Sequence, residues 1–291
     1  MKLPSIGCVA AALASAACAY CAPEVSNLKT SQPSAIEIVQ RSVAANTADW
    51  KAQPQYSHTE RDITWKYRSD GTSVIQETRT YEIMMIQGSP YNRLIQVHDK
   101  PLTVAQEQQE RTKLNREIQR RESESAGARR ERLTKFERER ADDRFLMEQM
   151  IKAFKFTLAG ERQTNGVDCY VLNAEPDPDY QPPSEKARVL TGMRGRLYVE
   201  KTHYHWVKVE AEVISPVQMM LFAKVKPGTK FELDQGPVGE VWLPKRFSQS
   251  VNASVMGLYG MRSGQEEVYS DYHQTMLDAG VRPQSSAAVH Q

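Results

Sequence analysis

Arg194-Gly-Arg-Leu-Tyr-Val-Glu-Lys201, Tyr204-His-Trp-Val-Lys-Val-Glu-Ala-Glu-Val213, Thr229-Lys-Phe-Glu-Leu-Asp-Gln235 and Glu240-Val-Trp-Leu-Pro-Lys-Arg-Phe-Ser-Gln-Ser-Val251 are the segments whose reading decides the fold. In the second, Val207, Val209, Ala211 and Val213 alternate with Lys208, Glu210 and Glu212. In the third, Phe231 and Leu233 alternate with Lys230, Glu232 and Asp234. Val241, Leu243, Phe247 and Val251 mark one side of the fourth. An extended chain turns successive side chains to opposite faces, so this alternation predicts an antiparallel sheet with one wet and one buried face.

The same period appears on either side of this block. Tyr56–Tyr67 and Ser73–Ile86 read as strands around an Asp70-Gly71 turn, and Gly88-Ser-Pro90 turns again into Tyr91–Val97. Phe154–Gly160 and Gly166–Ala174 form another hairpin at Asn165-Gly166, and Gln265–His273 reads as the last strand. Helices are few in the sheet-forming parts. Ser34-Ala-Ile-Glu37 has the form of a capping box, followed by Ile36, Val39 and Val43 at helical spacing to near Asn46. Ser184–Leu190 reads as a short capped helix ended by Gly192.

The stretch 103–153 differs in kind. It is dense in Glu, Gln, Arg and Lys, with Gly127 its one glycine, and predicts two helices joined near Ser123–Gly127. Between Arg111 and Arg140 there are eleven basic residues against six acidic ones. Its apolar stripe is too thin for most of this arm to be core. Two readings stand: a solvated helix pair held by i,i+4 ion pairs, or a docking arm for an anionic membrane surface or an envelope protein. Arg116, Arg120, Arg121, Arg129, Arg130 and Arg132 would bind such a partner.

The whole chain has 291 residues, 38 basic and 36 acidic, for a net charge of +2, which gives no general case for nucleic acid. Met1–Ala22 has the pattern of an export signal: Lys2, an alanine-rich apolar run, and a small-x-small site at Ala17-Cys-Ala19. The expected localisation is periplasmic. Ser15-Ala-Ala-Cys18 also has some likeness to a lipobox, which would make the chain an outer-membrane lipoprotein through Cys18; simple cleavage fits better. The expected organisation is a signal peptide over 1–22, a polar tether over 23–33, one domain over 34–275 with the helical insertion at 103–153, and a tail over 276–291. Cys169 stands alone inside the mature chain, so packing rather than a disulfide must supply stability.

Catalytic signatures are missing: there is no nucleophile elbow, phosphate loop, dinucleotide fingerprint or zinc-helix motif. The expectation is no enzyme, no cofactor and no metal. What stands out instead is greasy. The connection 215–228 carries Val217, Met219, Met220, Leu221, Phe222 and Val225, and connections are normally polar. It either plugs the open end of the sheet or lines a pocket for an apolar ligand.

The order of elements, with Val207-Lys-Val-Glu-Ala-Glu-Val213 and Gly239-Glu-Val-Trp-Leu-Pro244, resembles the LolA/LolB/RseB-like superfamily, more narrowly exported bacterial proteins with a charged helical insertion. The resemblance implies an α+β fold: a strongly curved antiparallel sheet, an incomplete β-barrel, closed by helices over an apolar cavity, with a protruding charged helical hairpin. It implies a non-enzymatic periplasmic carrier or receptor for a lipid or lipoprotein acyl chain, or else an envelope regulatory protein that binds partners through the arm. The cavity residues expected are Val207, Val209, Val213, Met219, Met220, Phe222, Phe231, Leu233, Val241 and Leu243.

Overall fold

A computed structural model describes residues 32–220, 223–255 and 259–275; of residues 143, 220, 223, 255 and 259 it describes the backbone alone. The expected export signal, most of the tether, and the tail 276–291 lie outside these residues. All elements belong to one unit from Pro33 onward.

Helix α1 (Ala35–Ala52) comes first, then β1 (Tyr56–Tyr67), β2 (Ser73–Ile86), β3 (Ser89–Val97) and the two-residue β4 (Lys100–Pro101). The charged arm is α2 (Val104–Glu122) and α3 (Ala126–Ala153). Next come β5 (Phe154–Thr164), β6 (Val167–Pro176), the one-turn helix α4 (Glu185–Arg188), β7 (Met193–Glu200) and β8 (Trp206–Val213). The greasy connection is itself a hairpin, β9 (Val217–Met220) and β10 (Ala223–Val225). Strands β11 (Lys230–Val238), β12 (Val241–Val255) and β13 (Tyr259–Gln274) complete the sheet.

The thirteen strands form one antiparallel, curved and open sheet in the order β4-β3-β2-β1-β13-β12-β11-β8-β7-β6-β5, with β10 and β9 added alongside β12. Every neighbour in the main path is also a neighbour in sequence except β1–β13 and β8–β11.

The expected short first helix runs on past Asn46 to Ala52 because its polar face is built in. Ile38 and Val39 are fully buried, and so are Ser42, Asn46 and Asp49 at helical spacing. Trp206 Nε1 donates to Ser42 Oγ (3.1 Å), and Asn46 Nδ2 donates to Met147 Sδ (2.6 Å). Asp49 accepts the backbone N–H of Trp242 (3.0 Å) and pairs with His205 Nδ1 (2.7 Å), whose ring stacks on the Trp242 indole. One helix is thereby clipped to β8, β12 and α3. Arg140 adds a further clip, its guanidinium 3.9 Å from the centre of the Trp50 ring and donating to Trp50 O.

The arm has its two helices where the sequence places them, with a Thr103/Gln106 capping box opening α2. Its inner side is engaged with the sheet. Leu114, Glu110 and Arg121 are buried, and Arg93 on β3 pairs with both Glu82 and Glu107. Arg121 donates to Ile86 O (2.7 Å), Ser89 O (2.8 Å), Ser89 Oγ (3.1 Å) and Pro90 O (3.0 Å), capping the β2–β3 turn.

Candidate functional site

The pairing register shows how the sheet divides. One transverse row of Cα partners runs Leu158, Leu172, Leu197, Val209, Leu233, Phe247, Glu267, Asp62, Arg79, Val97. Partners in register share a face, so a single face is aliphatic from β5 to β12 and turns ionic at β13. The next row repeats the pattern: Phe156, Ala174, Gly195, Ala211 and Phe231, then Gln249, Gln265, Thr64 and Glu77.

Over the aliphatic part lies a cavity of about 310 Å³ with almost wholly apolar walls. Leu146 and Met150 reach it from the base of α3, Val189 and Leu190 from the 3-10 turn after α4, and Met193, Leu197, Trp206, Val209, Ala211, Phe231, Leu233 and Phe247 from the sheet. Phe154, Phe156 and Ala174 close the β5–β6 side. Gly195 is part of the wall by necessity: a Cβ there would stand 2.5 Å from Glu210 O. The opposite face of the same strands is ionic. Lys208 is ringed by Glu210, Glu232 and Asp234, and Arg246 bridges Glu232 and Glu266. A 480 Å³ groove is lined by Arg194, Arg196, Lys230 and the carboxylates of Glu175, Glu210, Glu212 and Glu232 together with Ala211 and Phe231, so charge dominates its walls.

Of the cavity residues expected from sequence, Val209, Phe231 and Leu233 line the cavity. Val213 is fully buried in the adjoining cluster with Ala153, Phe154, Leu190 and Met193. Val207 is fully buried elsewhere, with Cys169, Val171 and Tyr198. The reason is an irregularity at the start of β8: Tyr198 pairs with Lys208 while Val199 pairs with Trp206, so strict alternation fails there. Trp206 and Val209, three apart, then share the cavity and Val207 turns away. Leu243 is buried and Val241 partly so, outside the cavity wall, and Met219 is half-buried on β9. The side chain of Met220, and Phe222 altogether, lie outside the described residues. Leu146 and Met150 were hidden in sequence by the charged helix around them.

At the ionic end of the face, Asp62 Oδ1 is buried with no hydrogen-bond partner. Burial first, then the neighbouring Glu60 and Glu267, push the Asp62 carboxyl up to about 7. Glu267 accepts hydrogen bonds from Tyr269 Oη and Gln265 Nε2. Burial likewise pushes the Tyr269 and Tyr272 hydroxyls above the ordinary tyrosine range. Among the described residues no group of three or more His, Cys, Asp or Glu is arranged to hold a metal ion. Cys169 is buried, and that burial pushes its thiol up to about 11, away from the reactive thiolate.

The arginines singled out on the arm divide. Arg121 and Arg132 point inward, Arg132 donating to Gln87 O (3.1 Å) and Ser89 Oγ (2.7 Å) and pairing with Glu124. Arg120 pairs with Glu117 on its own helix, and Arg116, Arg129 and Arg130 are exposed.

No family model matches the chain, and no curated protein does. Among solved structures it is similar to a DUF1329 family protein from Desulfovibrio piger (13% identity, TM-score 0.32, covering 86% of this chain and 96% of that one). It is similar to the LolA superfamily protein NE2245 from Nitrosomonas europaea (10%, 0.29, covering 85% and 96%). A third is a putative outer membrane lipoprotein-sorting protein domain from Vibrio parahaemolyticus (12%, 0.32, covering 84% and 95%). At such identities and scores the likenesses add nothing on ligand or partner, which are read from the site itself.

Proposed function

We propose that the chain is a non-enzymatic binding protein of the bacterial envelope that holds a lipid or lipoprotein acyl chain in the cavity between α3 and strands β5–β12. The supporting observation is the cavity itself, about 310 Å³ and lined mainly by Leu, Val, Met and Phe side chains, walled by helix on one side and sheet on the other. That volume sits at the lower end of the roughly 300–1,000 Å³ typical of small-molecule pockets. Hydrocarbon gains from leaving water in proportion to the area it buries, and here no wall group asks for a hydrogen bond in return. A carboxylate or phosphate head would stay outside. Glu210, Glu232 and Arg194 border the cavity but are engaged in ion pairs with Lys208 and Glu212, so the wall offers an apolar ligand little polar surface.

The second reading, an envelope regulator binding through the arm, has less to stand on, since Arg121 and Arg132 are engaged within the chain. Uptake of a fluorescent long-chain fatty acid by protein stripped of lipid tests the proposal. Wild type takes it up. Ala211→Leu, which fills the cavity from its floor, weakens uptake at least about tenfold, roughly 1.4 kcal/mol, while the thermal midpoint stays level or rises. Wild-type protein that takes up nothing refutes the reading.

A further inference from the structure

Two stretches of this chain, 213–231 and 241–265, contain no acidic residue, although acids make up 36 of the 291 residues overall. The fold brings their ends together. Strands β12 and β13 run on past their neighbours: β11 joins β12 only from the Lys230–Ser250 pair, and β1 ends against β13 at the Lys66–Ser263 pair. Beyond those points β10 and β9 take over as flanks, making a four-stranded extension in the order β9-β10-β12-β13.

One row across this extension is apolar on every strand: Val217, Val225, Ala253 and Met261. At its inner end Val217 is buried, wedged against Gly192, where a Cβ would stand 2.4 Å from Val217 Cγ2. At its outer end Met261 is 51% exposed. The adjoining row is Gln218, Lys224, Ser254 and Gly260. Lys224 and Arg262 are exposed and Lys226 is partly so, and among the described residues no carboxylate pairs with any of the three. In the middle of the sheet Lys208 and Arg246 are each matched by carboxylates.

We propose that this extension is the surface by which the protein docks on an anionic lipid bilayer. Lys224, Lys226 and Arg262 stand on one face of the extension and Met261 on the other, so the extension would meet the bilayer end-on: the cations would be drawn by the negative surface potential, and Met261, an adaptable apolar side chain, would enter the headgroup boundary. A second copy using the same surface would bring Lys224, Lys226 and Arg262 against their own kind, which disfavours self-association. The docking does not depend on what fills the cavity.

Vesicles of phosphatidylcholine with and without phosphatidylglycerol, in a sedimentation assay with the whole mature chain, test it. The wild type binds the anionic vesicles, binds the neutral ones far less, and lets go as salt is raised. At about fivefold per basic residue, the variant Lys224→Gln/Lys226→Gln/Arg262→Gln loses about a hundredfold in partition. Met261→Asp also weakens it. The control Arg116→Gln/Arg129→Gln/Arg130→Gln, on the exposed side of the arm, binds as the wild type does. Fatty-acid uptake by the triple extension variant equals that of the wild type, showing that the fold and the cavity are intact. Equal binding of the wild type to both vesicles, undiminished binding by the triple variant, or loss of binding in the arm control would each overturn the proposal.

Discussion

Asp62 is the residue whose chemistry departs most from what its surroundings would suggest in sequence, where it is one more polar side chain on a strand. In the unfolded chain it ionises near the usual aspartate value of about 4. In the fold, burial and the neighbouring Glu60 and Glu267 raise it to about 7. Between those values the folded chain holds a proton that the unfolded chain has released. Stability therefore falls as pH rises from about 4 to about 7 and stays at the lower level above that. Asp62→Asn removes the ionisation, so its thermal midpoint should exceed the wild type at pH 8 and match it near pH 4. An offset that is the same at both pH values would show that Asp62 does not titrate in this window. Val207 makes the opposite point at the same scale. Its alternation with Lys208 was plain in the sequence, but the shift in pairing at Val199–Trp206 was not, because a bulge leaves no mark in composition.

The arm shows how an element can look detached in sequence and still be anchored. Its stripe of apolar residues is thin, and what ties it down is polar. Arg121 carries four hydrogen bonds to the β2–β3 turn and pairs with Glu117, whose carboxyl its two arginine neighbours hold down at about 2. Arg121→Met removes that donor from three turn carbonyls, while Glu117 keeps its pair with Arg120. The expected cost is about 1–3 kcal/mol by chemical denaturation, as for buried acceptors left unsatisfied. A loss below about 1 kcal/mol, the range of a surface pair, would mean that the arm is held elsewhere. The strands were far more legible. The limits of β1 and β2 follow directly from alternation and the Asp70-Gly71 turn. Strand β13 starts at Tyr259, earlier than alternation predicts, because Gly260, Ser263 and Gly264 interrupt its pattern. The fold explains one of them: a Cβ on Gly264 would stand 2.4 Å from the Trp65 ring. Roughly a third of the expected cavity list lines the cavity, since alternation identifies a buried face and cannot say which part of that face is left uncovered.

At the scale of the molecule, the sheet is two blocks that meet along one seam. Strands β1–β4 are contiguous, strands β5–β12 are contiguous apart from the β9–β10 hairpin, and only β13 lies between them, paired with β1 from Tyr56–Gln274 to Lys66–Ser263. This seam has a consequence in time. A ribosome or an export channel delivers β1 well before β13, so the β1–β4 meander must wait with a bare edge until β13 follows. Such late, distant pairings are slow to form, and an edge left bare invites the wrong neighbour. The carboxylates of Glu60 and Asp62 on β1 would keep that waiting edge from pairing with a second molecule. A chain ending at Val255 should accordingly melt without cooperativity and aggregate, and a separate peptide of residues 259–275 should restore a cooperative transition by filling the seam. A truncated chain that melts sharply on its own would show that the two blocks do not need their last strand.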